Sequence, residues 1–443
     1  MRSRFFRAIR AAALPIAAAT ASLPWGAAHA GGGHGQGAGA QLASAPAPRR
    51  IGLAEAIRLG ATEGPKIAAA KAPRGALAEA GRAADTLFPL LPRVTASVGE
   101  RRGPTAVGVE ISVSVLQDLS LGGLGGARRD TAAALARLTE ADFARAKLDG
   151  AARAALSWIG LVEASRLLAL REEGLAQAEA LLRAVRARVG TGVSDPLELA
   201  LAQGEIGAAR AAVLDAEGLR FEAGMDLAFA AGQPAANPIA AEGDLGEPGA
   251  IAPRKEGDAE IRQAAIAHPA ALVAEMRREV ADREGRLAAA ALAPTLGVGA
   301  SFVREGTGDR IWSGIVSFPL PFGRPAAFEG ARGRAAADAA QAQADATRAE
   351  LAQAMRLADH EREHTREVYA ALDGGALAPM REALRLARAQ LDAGTTDVTH
   401  VLLAQQRLRA VEEQVTRALA DVRRADIRWM LAAGTLLPAA GAP

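Results

Sequence analysis

The residues most readily assigned a chemistry are His360-Glu361-Arg362-Glu363-His364. They match the H-E-x-x-H pattern, in which two His one helical turn apart face a metal and the Glu activates its water. The surroundings argue against a peptidase. The flanks Ala358-Asp359 and Thr365-Arg366-Glu367 read as a solvated helix face. His34, His268 and His400 offer no evident third ligand, and His34 sits inert in a Gly-rich stretch. His360 and His364 are therefore weak metal candidates only. No catalytic residue is assigned, no cofactor is expected, and a zinc peptidase is the least favoured alternative.

The next chemistry is capping. Asp195-Pro196-Leu197-Glu198 places an acid before a helix start, Pro at the first helical position and Glu at the third. Asp397 holds the equivalent place after Gly394-Thr395-Thr396, as Asp195 does after Gly192. An Asp cap contributes about 1 kcal/mol.

The chain contains 52 Lys and Arg, 50 Asp and Glu, and no Cys. Arg2, Arg4, Arg7 and Arg10 precede an apolar run, and Ala28-His29-Ala30 follows it, so residues 1–30 read as an export signal. Without them the balance is 48 basic against 50 acidic residues. No basic patch with interleaved aromatics suggests nucleic acid. The lack of Cys excludes disulfides and a lipid-modified Cys anchor. Past the signal there is no apolar stretch of about 20 residues, so any membrane crossing must use β-strands.

An internal duplication organises the rest. Pro92 matches Pro294, Gly192 matches Gly394, Asp195 matches Asp397, and Leu201-Ala202-Gln203 matches Leu403-Ala404-Gln405, all shifted by 202 residues. The division is a flexible segment at 31–50, a first repeat at 51–232, a linker at 233–257, a second repeat at 258–434 and a tail at 435–443. Each repeat opens with a helix, over 53–87 and 258–292. Two strands follow, predicted over 94–101 and 107–116 in one copy and over 296–304 and 311–320 in the other. Val109, Ile111, Val113 and Val115 alternate with Glu110, Ser112 and Ser114, which gives one apolar and one polar face. Trp312, Phe302, Phe318 and Phe322 form either an interfacial aromatic belt or core.

Long helices come next, over 127–189 and 326–391, with breaks expected at Gly174 and at Gly374-Gly375. Each would reach roughly 95–100 Å if continuous. A last helix returns to Gly232 and Gly434. Leu408, Val411, Val415, Leu419 and Val422 make a narrow stripe suited to coiled-coil packing. The fold class is thus mainly α with a pair of β-hairpins, a duplicated helix-strand-strand-helix-helix unit. Four strands cannot close a wide barrel, and a barrel in lipid has no open edge.

Residues 51–434 resemble the TolC-like outer-membrane efflux protein family. The resemblance rests on the repeat order and on the two turns, Gly192-Val193-Ser194-Asp195 through Ala202-Gln203 and Gly394-Thr395-Thr396-Asp397 through Ala404-Gln405. It implies a homotrimer whose strands form one twelve-stranded barrel in outer-membrane lipid, continuous with a long periplasmic α-helical barrel. It also implies a passive exit duct, not an enzyme, opened by a periplasmic adaptor and an inner-membrane pump. Gly192, Asp195, Gly394, Thr395, Thr396 and Asp397 would form the tip that docks the adaptor. Glu198 and His400 fall where the family carries constricting carboxylates, and a further family Asp falls on Leu403. A His400 ring would make the constriction sensitive to pH or metal, because histidine changes charge near neutrality. Phe318-Pro319-Leu320-Pro321-Phe322-Gly323, leading to Gly330, is similar to the heavy-metal-efflux branch and equally a generic Pro-rich corner. A duct for type I protein secretion and a periplasmic coiled-coil adaptor or scaffold remain as alternatives.

Overall fold

The computed structural model describes residues 49–84, 90–103, 107–190, 195–234, 239–246, 257–319 and 325–437. The expected signal, most of the 31–50 segment, Gly192, parts of the 233–257 linker, residues 320–324 and the end of the tail lie outside them.

Strand β1 (Arg50–Ile51) leads to helices α1 (Leu53–Thr62) and α2 (Pro65–Ala84), and then to strands β2 (Arg93–Arg102) and β3 (Val107–Ser120). Helices α3 (Leu124–Gly190) and α4 (Pro196–Ala230) complete the first half. The second half runs β4 (Ala240–Ala241), α5 (Asp258–Ala267), α6 (Pro269–Ala291), β5 (Thr295–Arg304) and β6 (Arg310–Ser317). It ends with α7 (Pro325–Leu372), a π-helical segment (Asp373–Leu377), α8 (Ala378–Asp392) and α9 (Val398–Ala432). Strands β2 and β5 are each ten residues long, and helices α4 and α9 each thirty-five.

Strands β2, β3, β5 and β6 form one antiparallel sheet in that order. Two rows of its register keep residues of one kind across all four strands. Thr95, Ser114, Ser301 and Ser313 form one row, and Ser97 and Ser112 share a 2.8 Å hydrogen bond on the same face. On the other face Ala96, Val113, Phe302 and Trp312 form a row, with the two rings 4.8 Å apart. The apolar face is the open one. Along β3, Val109, Ile111, Val113 and Val115 are exposed, while Glu110, Ser112 and Ser114 are half-buried. A water-soluble sheet would bury the valines and expose the serines. Among the described residues no helix is long and apolar enough to cross a membrane.

Two apolar clusters hold the helices. One centres on Ile51, Leu59, Trp158, Ile159, Leu227, Ile239 and Ile427, where β1 pairs in parallel with β4 and ties the segment before α1 to the one before α5. Trp158 Nε1–H donates to the buried carbonyl of Ile51 at 2.9 Å. The other cluster joins Leu182, Val185, Leu384, Leu391, Val401, Leu402 and Leu408 near the α3–α4 and α8–α9 turns. The Leu408–Val422 stripe faces its neighbours as expected, with Leu408, Leu419 and Val422 buried. Between α7 and α9, buried Arg362 donates to Asp426 at 3.2 Å and lies over the Trp429 ring, and Arg366 reaches the same carboxylate at 2.8 Å. Removing one partner of such a buried pair costs far more than the pair adds.

Several sequence expectations need correction. The opening helix of each repeat is two helices, because Pro65 and Pro269 lack an N–H and keep the preceding residue out of the helix. Strand β3 runs on to Ser120, and β6 stops at Ser317. Gly174 does not interrupt α3. Arg409 crosses the helix there, and a Cβ on Gly174 would meet its Cδ at 2.9 Å. The Gly374-Gly375 break is the π-helical segment. Gly232 and Gly434 end α4 and α9 with φ near +70°, where a side chain would be strained.

His268 is itself the cap of α6. Its Nδ1 accepts from Ala270 N–H at 3.1 Å, so Nε2–H donates to Leu431 O at 3.0 Å. Burial pushes this imidazole below its ordinary value near 6.5, against the opposing pull of the Leu431 carbonyl. The neutral ring therefore contributes stability that is complete above the unfolded value and is lost as pH falls through the folded one. Thermal melts should show a midpoint falling between about pH 7 and pH 5, and His268→Asn, which keeps a cap, should flatten that fall. An identical slope in the variant contradicts this role.

Candidate functional site

The end of the molecule defined by the α3–α4 and α8–α9 turns gathers most of the sequence-predicted residues. Asp195 caps α4, its Oδ1 accepting from Leu197 N–H at 2.9 Å. Asp397 caps α9, accepting from His400 N–H at 3.2 Å, and its carboxylate meets His400 Nδ1 at 2.8 Å. The His400 ring bond and then its backbone bond hold the Asp397 carboxyl below the usual carboxylate range. The α8 end closes on Gly394, with Gly394 N–H donating to Leu391 O and Thr395 N–H to Gln390 O. Its φ of +72° is the left-handed turn this closure needs. Thr395 Oγ1 adds a bond to Gln390 O at 3.1 Å.

Glu198 behaves differently from the expected constriction. Its Oε1 accepts the N–H of Val398, the first residue of α9, at 3.3 Å. The carboxylate of one repeat thus satisfies a free donor at the helix start of the other. Its Oε2 is buried without a partner. Arg188 answers from the opposite side, donating to Leu391 O at the end of α8 at 2.9 Å. His400 stands with a side chain 67% exposed beside Asp397. Asp195, Glu198, Asp397 and His400 therefore share this end of the fold, but only His400 remains a projecting side chain of the two constriction candidates.

Above the turns, charged pairs join the two helical hairpins. Glu205 of α4 accepts from Arg409 and, at 2.8 Å, from Gln406, both on α9. Arg171 of α3 donates to Glu413 of α9 at 3.1 Å and to Ala212 O of α4 at 3.1 Å. These groups line a groove of about 360 Å³ with Leu170, Ala208 and Ala209. Glu205 and Arg409 are 12% and 21% exposed, so their attraction is screened less than that of surface pairs. Arg188, Arg171, Glu205, Arg409 and Glu413 were not singled out from sequence. The one available signal was Gly174, a small residue facing a long charged one.

The H-E-x-x-H residues lie elsewhere, on α7. Glu361 is paired with Arg428, and Arg362 is buried against Asp426. Among the described residues no three His, Cys, Asp or Glu converge to hold a metal. The arrangement supplies no free general base of the peptidase type.

Comparison with known proteins agrees with this architecture. Residues 61–233 match the family model described as outer membrane efflux protein. The chain is similar in structure to a membrane protein from Pseudomonas aeruginosa, with TM-score 0.72 and 19% identity over 87% of this chain and 91% of that one. It is similar to the Campylobacter jejuni CmeC outer membrane channel, with TM-score 0.71 and 15% identity over 86% and 85%. It is also similar to the open state of the Neisseria gonorrhoeae MtrE outer membrane channel, with TM-score 0.69 and 18% identity over 87% and 89%. No curated protein sequence matches. The chain has the fold of these outer-membrane channels.

Proposed function

We propose that the protein is the outer-membrane channel subunit of a tripartite efflux system. Three copies close their four-stranded sheets into one twelve-stranded barrel, and the helices continue it into the periplasm as a tunnel. The protein is a conduit, not an enzyme. The observation that carries this reading is the polarity of the sheet, with valines, Phe302 and Trp312 on the open face and a row of hydroxyls on the other. Outer-membrane barrels place apolar residues toward lipid and polar ones toward the lumen. The two unpaired edges, β2 and β6, find partners in neighbouring copies. A periplasmic adaptor or scaffold would have no use for an outward apolar sheet face.

At the far end, Asp195, Gly394, Thr395, Thr396 and Asp397, with Gly192, form the tip where a periplasmic adaptor docks. Opening by the adaptor and inner-membrane pump spreads the helical hairpins, at the expense of the Glu198–Val398 and Glu205–Arg409 contacts. His400 is assigned to the constriction. Support for metal-ion cargo comes only from the 318–323 corner, whose residues 320–323 lie outside the described ones, so the proposal stops at efflux.

The face assignment makes a paired prediction. Val113→Arg puts a cation on the lipid side, at a cost of about 2–4 kcal/mol near the bilayer midplane, and should abolish stable assembly in the outer membrane. Ser114→Arg, one residue along and on the lumen side, should assemble. Equal outcomes for the two variants reject the barrel. For the constriction, single-channel conductance of His400→Ala should exceed that of the wild type, and an unchanged conductance removes His400 from that role.

A further inference from the structure

The described histidines divide into two kinds. His268 is buried and bonded at both ring nitrogens, and His400 is tied to Asp397. His360 and His364 are exposed, and among the described residues neither ring makes a hydrogen bond or an ion pair. Their rings lie 6.2 Å apart and within 16° of parallel. That is the juxtaposition expected of residues one turn apart on a helix, whose Cβ atoms sit about 5–6 Å from each other.

We infer that His360 and His364 form a two-point clamp for a divalent transition-metal ion of the Cu²⁺, Ni²⁺ or Zn²⁺ type. Imidazole nitrogen suits these ions, whereas Mg²⁺ and Ca²⁺ prefer oxygen. Both rings can turn a nitrogen toward a point between them without breaking any bond in the fold. The helix beneath is fixed on its opposite side, where Met355, Ala358 and Arg362 are buried, so the spacing of the two rings is held.

The charges around the clamp favour a cation. Glu367 is exposed on the same stripe of α7. The nearby cations are each matched to a carboxylate: Arg356 to Asp258, Arg366 to Asp426, and Arg428 to Glu361. With only two protein ligands, water fills the remaining positions. A structural zinc site has four protein ligands and is closed, so this clamp releases its ion readily and exchanges it with solvent. With Glu361 engaged by Arg428, the bound ion has no peptidase partner. The inference does not depend on the efflux reading.

The test uses the full-length protein purified in detergent and titrated with Cu²⁺, with binding followed by calorimetry and electron paramagnetic resonance. One ion should bind per chain, with hyperfine structure from two imidazole nitrogens. His364→Ala should weaken binding at least about tenfold, as even outer-shell losses do at metal sites, and should remove one nitrogen from the spectrum. Combining His364→Ala with Thr365→His keeps the number of histidines but moves one off the stripe, and should not restore the site. Binding that is unchanged in His364→Ala, restored by the shifted histidine, or lost instead in His400→Ala overturns the clamp. Both substituted positions lie outside the buried core, and an unaltered circular dichroism spectrum verifies that the helix persists.

Discussion

A β-sheet with its apolar side chains turned outward cannot exist alone in water. Val109, Ile111, Val113 and Val115 each leave apolar surface uncovered, and among the described residues the outer edges of β2 and β6 pair with no further strand. Each buried CH₂ is worth about 0.8 kcal/mol, and an unpaired backbone group in lipid costs several. Lipid on the apolar face and strand partners at both edges relieve the two costs together. In the proposed channel, closure among copies meets this constraint, and the helices continue from it.

The helices extend that requirement along the molecule. The two halves deliver two strand pairs to the sheet and two helical hairpins beneath it. The hairpins are joined crosswise. Glu198 caps the helix start of the other repeat, Arg188 caps a helix end of the other repeat, and Glu205 and Glu413 hold arginines across the gap. These polar links act together with the apolar cluster of Leu182, Val185, Leu384, Leu391 and Val401 at the same end. The apolar packing further up centres on Trp158 and Ile51.

Much of this was legible in the amino-acid sequence because it depends on local spacing. The alternation along β3, the Asp195 and Asp397 caps and the Leu408–Val422 stripe are each written within a few residues. The duplication fixed the order of the elements. What the sequence concealed depends on distant partners. Gly174 looks like a helix break and is in fact the slot for Arg409, more than two hundred residues away. Glu198 reads as part of its own helix start and as a constricting carboxylate, and its bond to Val398 N–H depends on a partner two hundred residues away. His268 resembles a stray histidine, yet its neighbour Pro269 leaves a helix start that the imidazole closes. The pairing of Glu361 in the H-E-x-x-H match is likewise invisible in the sequence, because it depends on Arg428 from another helix.

The most direct measurement is the mass of the detergent-solubilised protein by analytical ultracentrifugation, with the detergent contribution subtracted. Three chains in one particle, insoluble once the detergent is withdrawn, is the predicted result. A single chain that stays dissolved in plain buffer with its strands intact would contradict the account.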